Sequence, residues 1–253
     1  MFEGMTSSTL LEKHPRLEDV MCSLDSVGKM PRGVSAEIRQ AVALARRFNE
    51  TVARPYALEL DREMHEDPAF IPWDLVKEIN RWGFYTAWIP KIFGGKGWNL
   101  GSLIPVVEEF CSECAGIGNL MGVEYFGMSV LFAGWNTRIT DKICRDVVEG
   151  ERSGEPCLIA GLVTEPGAGT DAEETELLHK AQVRCLARKV DGGYVVNGTK
   201  VFISNGHVST WHISTAFEDL SRPAESMMCF AVRRDAKGFN FGRMEKKMGQ
   251  KGC

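Results

Sequence analysis

Residues Val163-Thr164-Glu165-Pro166-Gly167-Ala168-Gly169-Thr170-Asp171 concentrate the groups best suited to hold an anionic ligand. Gly167 and Gly169 let a backbone come close to a ligand, and their N–H groups can line an anion-binding concavity. Thr164 and Thr170 add hydroxyl donors near its two ends. No Gly-Lys-Ser/Thr closes the stretch, so it is not a Walker loop. No G-x-G-x-x-G opens a helix after a strand, so it is not a dinucleotide fingerprint. On composition alone, an ordinary connecting loop fits the same residues. Glu165 has the chemistry of a general base. His207 and His212 can approach a ligand, although a satisfied or exposed histidine is the commoner outcome. Cys111-x-x-Cys114 has half the spacing of a zinc site, but no second pair or histidine stands at ligand distance. The two cysteines fall i, i+3 on an apolar helical pattern, so core packing is expected and no metal.

The elements that must position these groups change period partway along the chain. From residue 35 to about 150 the pattern is helical. Ser35 suits an N-cap with Glu37 in the first turn. Ile38, Val42, Ala45, Phe48 and Val52 then recur at three-to-four spacing. Pro72 suits a helix start and Gly83 a helix end. Pro90, Gly94, Gly95 and Gly97 break any helix and make a loop, with Trp88 and Trp98 expected to pack around it. Three further apolar-periodic stretches follow, which predicts a bundle of about five helices. After Gly154 alternation takes over. Residues 182–190 alternate, Asp191-Gly192-Gly193 is a hairpin turn, and 194–203 continue as strand around a second turn at Asn197-Gly198. Residues 211–217, 227–233 and 239–243 also have strand character. The expected fold is multi-domain: an N-terminal all-α bundle, then an all-β barrel-like domain that lacks a closing strand. The expected divisions are an extension over 1–32, a helical domain over 33–153 and a β domain over 154–253.

Composition bounds the function. The 253 residues are 44% hydrophobic and 25% charged with net charge −4, which is ordinary for a globular chain and offers nucleic acid no basic face. The longest apolar stretch, around 128–135, is too short to span a bilayer, so no integral membrane segment is expected. Glu3, Glu12, Glu18 and Asp19 argue against a transit peptide, and no secretory core is present in residues 1–32. A soluble, cytoplasmic protein is expected, with its eight cysteines as free thiols.

Four segments carry a resemblance to a known family. Residues 164–171 resemble the T-E-P-x-A-G-S-D signature of acyl-CoA dehydrogenases. Residues 197–206 resemble that family's N-G-x-K-x-W-I-T-N-G segment, and 247–252 its K-M-G-Q-R-G segment. Pro90 with Gly94, Gly95 and Gly97 resembles its P-x-x-x-G-G-x-G loop. The likeness runs from about residue 35 to 253, in the family's order. It implies FAD as cofactor and an acyl-CoA as substrate, with electron-transfer flavoprotein as acceptor and fatty acid metabolism as setting. It further implies a homo-oligomer when the chain is complete. Gly161, Leu162, Val163, Thr164, Gly169 and Thr170 would run along FAD. Val163 and Thr164 would meet the pyrimidine edge of the ring, Gly169 and Thr170 the pyrophosphate, and Thr170 also the acyl-CoA. Phe202 stands where the family has a Trp against the ring. Ile203 follows it, and Ser204 stands where a Thr hydroxyl meets flavin N5. Phe202 keeps the aromatic face but loses the indole N–H. Leu162 is bulkier than the family's residue, and Glu173 and Glu174 add acids expected to be solvated.

In the family the catalytic base comes from a C-terminal helical domain absent here, so no catalytic residue is assigned. Glu165 belongs to the loop scaffold in that resemblance. The expectation is an acyl-CoA dehydrogenase-like segment that retains FAD poorly and is inactive alone. Two alternatives stay open: a non-catalytic ligand-binding or assembly subunit completed by a second chain, and another flavin-dependent reaction on the same fold. All of these require Thr164 and Ser204 to share one cleft.

Overall fold

The computed structural model describes residues 27–251, so Cys22, Cys253 and most of the expected N-terminal extension lie outside the described residues. Helix α1, Arg32–Phe48, begins three residues before Ser35. Pro31 precedes it with φ near the proline value, and its carbonyl accepts the Ser35 N–H at 2.9 Å. Ser35 therefore caps nothing, and Glu37 instead accepts the Asn99 N–H at 2.8 Å. Ile38, Ala41, Val42, Ala45 and Phe48 form the buried stripe.

The winding then widens into a π-helical turn, Asn49–Ala53, and tightens again into α2, Arg54–Glu66. Asn49 is buried there and donates to the Glu109 carbonyl at 2.5 Å. Helix α3, Trp73–Trp82, starts after Pro72 and stops at Gly83, whose φ of 78° is the left-handed cap that glycine takes without a Cβ clash. The glycine loop follows, pinned by Trp88, whose Nε1 donates to Ser102 Oγ at 2.9 Å while its ring meets Trp98 edge-on.

Helices α4, Leu103–Glu113, α5, Ala115–Ala133, and α6, Thr137–Ser153, complete the helical block. Counting α1, the π turn and α2 as one rod gives the five expected helices. Cys111 does not enter the core: it is exposed, and Cys114 is the extended residue between α4 and α5. The Cys111 sulfur lies at the rim over Gly118 of α5, so close that a Cβ there would clash with it. No described helix is long and apolar enough to cross a membrane.

The sheet is mixed. Strand β4, Trp211–Phe217, is its centre, buried at every residue. It pairs along one edge with β5, Met227–Arg233, antiparallel from Trp211↔Arg233 to Phe217↔Met227. Along the other edge it pairs in parallel, first with β1, Ile159–Leu162, then at Phe217 with β2, Leu186–Val190. Strand β3, Gly193–Asn197, closes the hairpin on β2 through Gly192, φ 82°.

Two expected strands are absent. Residues 198–203 leave the ladder after Asn197, because Gly198 passes so near Cys185 that a Cβ would meet its Cα at 2.7 Å. Residues 239–243 are not strand either. Phe239 and Phe241 cover His212 instead, with ring centroids 4.6 and 5.8 Å from the imidazole.

One core joins the two blocks, running from Ile38 and Phe48 through Ile117 and Met128 to Ile159, Trp211 and Ile213. Helix α5 lies directly on β1. A Cβ on Gly127 would come within 2.8 Å of Ile159 Cγ2 and 3.1 Å of the Ala160 carbonyl carbon, and one on Gly161 within 2.6 Å of the Phe126 ring. Glu124, fully buried between them, accepts the Ile159 N–H at 2.7 Å. Burial pushes its carboxyl well above the usual range, and that single bond opposes the shift only in part.

Two outcomes follow for this joint. In Gly122→Ala the new methyl meets only ordinary contact with Val107, at 3.6 Å. Helix propensity should then raise stability by about 0.5–1 kcal/mol. Gly127→Ala should instead lower it by about 1–3 kcal/mol, since backbone must move. Denaturant midpoints compare the two. Because the folded state holds the Glu124 proton more tightly than the unfolded state, this group's contribution is complete below the unfolded value of about 4.3 and is lost as pH rises. Glu124→Gln should flatten the fall in stability as pH rises above that unfolded value, measured by urea unfolding at each pH.

Candidate functional site

Residues 165–168 form a tight turn closed by two backbone bonds, Glu165 N–H to the Ala168 carbonyl at 2.8 Å and Ala168 N–H to the Glu165 carbonyl at 3.2 Å. Pro166 and Gly167 stand at its exposed tip while the Glu165 side chain points inward and is buried. Its Oε2 accepts the N–H groups of Arg184 and Cys185, at 2.6 and 3.0 Å. Its Oε1 accepts from Lys200 Nζ at 2.9 Å.

Lys200 is almost as deeply buried, with a side chain 7% exposed against 1% for Glu165. It spends its remaining donors on the Val163 carbonyl at 2.9 Å and Thr215 Oγ1 at 3.0 Å. A buried ion pair survives only when each lone pair and proton finds such a partner. Glu165 is thus committed on both oxygens to holding the turn, which leaves it no role as a base.

The same lysine draws residues 198–204 across the end of β1. Val201 N–H donates to the Thr164 carbonyl at 3.0 Å, so the two sequence segments that carry the chemistry are hydrogen-bonded neighbours. Phe202 comes next, with φ 57° and 71% exposure. A bulky residue in left-handed backbone, costing about 1–2 kcal/mol, is an outlier that surrounding structure must enforce. Here the enforcement is visible on both sides: Lys200 and Val201 are tied to the Glu165 turn, and Ser204 and Asn205 are tied to α5. Asn119 Nδ2 donates to Ser204 Oγ at 3.3 Å, and Asn205 Nδ2 to the Leu120 carbonyl at 2.7 Å.

The remaining candidates fall around this junction. Gly161 and Leu162 lie inside β1, both buried. Val163 and Thr164 are half-buried at its end, and Ile203 is half-buried beside Ser204. Gly169 opens to free space on its Cβ side, although its N–H is taken by Asp171 Oδ1 at 2.7 Å. Thr170 starts a short 3-10 turn, Thr170–Ala172, and is exposed. Glu173 and Glu174 are exposed. Both histidines meet backbone carbonyls, His207 that of Gly242 at 3.1 Å and His212 that of Gly206 at 2.8 Å. Burial lowers the pKa of His212 and favours its neutral form. Among the described residues no group of three His, Cys, Asp or Glu could hold a metal.

The residue types are those a flavin would need: hydroxyls at Thr164 and Ser204, an exposed aromatic side chain at Phe202, and open space on the Cβ side of Gly169. Three residues that organise the site were not singled out from sequence. Lys200 sits in the recognised segment, yet nothing local announces that it is buried. Asn119 lies 85 positions away on a helix, and Asn205 acts through a backbone carbonyl of that helix.

Known proteins resemble this chain across both its helical and its β block. Residues 35–151 match the acyl-CoA dehydrogenase N-terminal domain and 160–253 the acyl-CoA dehydrogenase middle domain. The chain is 31% identical over 212 residues to a 3-(aryl)acrylate reductase of Clostridium sporogenes, covering 83% of this chain and 51% of that one. It is 30% identical to a short-chain-specific acyl-CoA dehydrogenase of Clostridium acetobutylicum, covering 84% and 51%. The structure of butyryl-CoA dehydrogenase from Megasphaera elsdenii superposes with a TM-score of 0.71 at 26% identity, covering 85% and 53%. The chain spans about half the length of these relatives.

Lys200→Met should destabilise the protein by about 3–5 kcal/mol, because it leaves Glu165 buried without its counter-charge. Glu165→Leu with Lys200→Met should cost less than the two single changes added together. It should still not be neutral, because the Arg184 and Cys185 N–H groups lose their acceptor. Denaturant unfolding of the three variants gives the coupling.

Proposed function

The chain belongs to the acyl-CoA dehydrogenase family, and from that premise we propose that it is a flavoprotein oxidoreductase segment that binds FAD at the junction of residues 163–170 with 202–204. The observation that supports this reading is the Val201–Thr164 hydrogen bond, which ties the backbone just before the exposed Phe202 to the Thr164 segment. The left-handed backbone at Phe202 keeps its aromatic side chain exposed, which suits a flat ligand. The Thr164 hydroxyl, with the backbone of Val163 and Thr164, would hold the polar edge of the ring. Ser204 would donate to the nitrogen at its centre, and Gly169 with Thr170 would admit the phosphates.

Bound there, FAD supplies a two-electron acceptor for a hydride leaving Cβ of an acyl-CoA thioester as the α-proton is lost, giving the 2,3-enoyl-CoA. The residues of this chain bind and orient; a pre-placed donor at the ring gains from needing no reorganisation. Thr170 would also touch the acyl-CoA. Glu165 is committed to Lys200 and two backbone N–H groups, and Glu124 is fully buried against the Ile159 N–H; the base is assigned to no residue of this chain. Electron-transfer flavoprotein as acceptor, fatty acid metabolism and a cytoplasmic setting complete the reading. So do a helical domain over 33–153, a β domain over 154–253 and an extension over 1–32. The likeness to a 3-(aryl)acrylate reductase favours a second reading, in which the same site runs an enoyl reduction.

FAD titration by fluorescence quenching tests the proposal. Thr164→Val and Ser204→Ala should each weaken FAD binding about two- to ten-fold, the worth of one neutral hydrogen bond. Phe202→Asn should separate function from fold. Asn tolerates left-handed backbone, so stability should rise by about 0.5–1 kcal/mol while FAD affinity falls. A chain that binds FAD equally well with all three substitutions would sink the reading.

A further inference from the structure

The contact between Asn119 and Ser204 crosses from the helical block to the β block, and its polarity matters. A serine hydroxyl has one proton to give and two lone pairs to offer. Asn119 Nδ2 approaches Ser204 Oγ at 3.3 Å as donor, so one lone pair is used on the protein side and the single O–H is left to point elsewhere. The neighbouring Asn205 is buried, has φ 60°, and donates to the Leu120 carbonyl at 2.7 Å. Consecutive residues of the segment are therefore stapled to consecutive residues of α5. The second staple fixes the backbone of the segment, while the first acts on the hydroxyl alone.

Helix α5 is itself immobilised by its close approach to β1 at Gly127 and by the Glu124–Ile159 bond. The amide of Asn119 is thus a fixed reference against which the Ser204 rotor is set. Without it, a half-buried hydroxyl has three staggered positions, and its proton can turn to a nearby carbonyl.

We propose that Asn119 is a positioning residue: it holds Ser204 Oγ as an acceptor on the protein side and so commits the Ser204 O–H to the bound flavin ring. This rests on the flavin reading above, and it assigns to a helix residue outside every recognised motif a share in setting the ring's electronic environment. Asn119 acts through Ser204, not by contact of its own with the ring.

Asn119→Asp gives the sharpest test, because it keeps the size of the side chain and reverses the hydrogen bond. A carboxylate can only accept, so it takes the Ser204 proton away from the ring. FAD affinity and the midpoint potential of the bound flavin are measured in the 253-residue chain for the wild type, Asn119→Asp, Asn119→Leu, Ser204→Ala and both double variants, with urea midpoints alongside. Ser204→Ala, Asn119→Asp and Asn119→Leu should each weaken FAD binding, by about two- to ten-fold for Ser204→Ala and at least as much for Asn119→Asp. The potential should shift in the same direction in Ser204→Ala and Asn119→Asp. In the Ser204→Ala background, adding either Asn119 change should alter affinity and potential less than two-fold. That loss of effect is the signature of a residue acting through the hydroxyl.

If Asn119→Asp weakens binding equally with and without the Ser204 hydroxyl, the effect is the new charge or a packing change, and the inference falls. It also falls if Ser204→Ala weakens binding while both Asn119 variants match the wild type; the flavin reading then survives. If the unaltered chain binds no FAD, the flavin reading fails and takes this inference with it; if Ser204→Ala alone leaves binding unchanged, this inference falls.

Discussion

The site depends on one buried ion pair. Lys200 and Glu165 are each too costly to bury alone, and neither can be left with an idle donor or acceptor. Their combined demand collects the Arg184 and Cys185 N–H groups, the Val163 carbonyl and the Thr215 hydroxyl into one network. These groups come from the end of β1, the approach to β2, the middle of β4 and the chain after β3. The network therefore fixes where four separate segments meet. The strained Phe202, two residues beyond Lys200, stays in place because the pair cannot relax without exposing or orphaning a charge.

The helical and β blocks share a core, and the seam between them is where the site sits. Glycine at 127 and 161 brings α5 down onto β1 to a separation that no side chain would permit. Glu124 then meets the Ile159 N–H at the start of β1, in a place dry enough to push its carboxyl well above the usual range. Phe126 consequently meets β1 at Gly161, while Asn119 and Leu120 meet the irregular chain at Ser204 and Asn205.

Much of this was legible in the residues, and the exceptions have physical reasons. Strands β4 and β5 and helix α3 follow from alternation, from Pro72 and from Gly83, because local sequence decides them. The first turn of α1 was misplaced, since Pro31 outranks Ser35 as a start signal. Residues 198–203 have a strand's composition and are not strand, because a tertiary ion pair and the close pass of Gly198 over Cys185 override propensity. Residues 239–243 likewise serve as a cover for His212. Cys111 follows an apolar spacing yet lies exposed at the rim over Gly118. Within the site, the glycine turn and the Ser204 hydroxyl could be named from type and spacing. Lys200 as a buried hub and Asn119 as its counterpart on α5 could not, because both depend on contacts far apart in sequence.

The π turn at residues 49–53 has a consequence for how the first rod is phased. A turn closed by i, i+5 bonds accommodates one residue more than regular winding does. Each residue advances the helix by about 100°, so the buried faces of α1 and α2 are in register with the rest of the bundle only because of that surplus. Deleting a single residue there would give a more regular helix and a worse protein. Leu60 and Met64 would swing away from the interior, and the Asn49 amide would lose the Glu109 carbonyl that it now reaches. Irregular winding at this point is thus a phase corrector, and helix regularity is subordinate to the angular bookkeeping of the bundle.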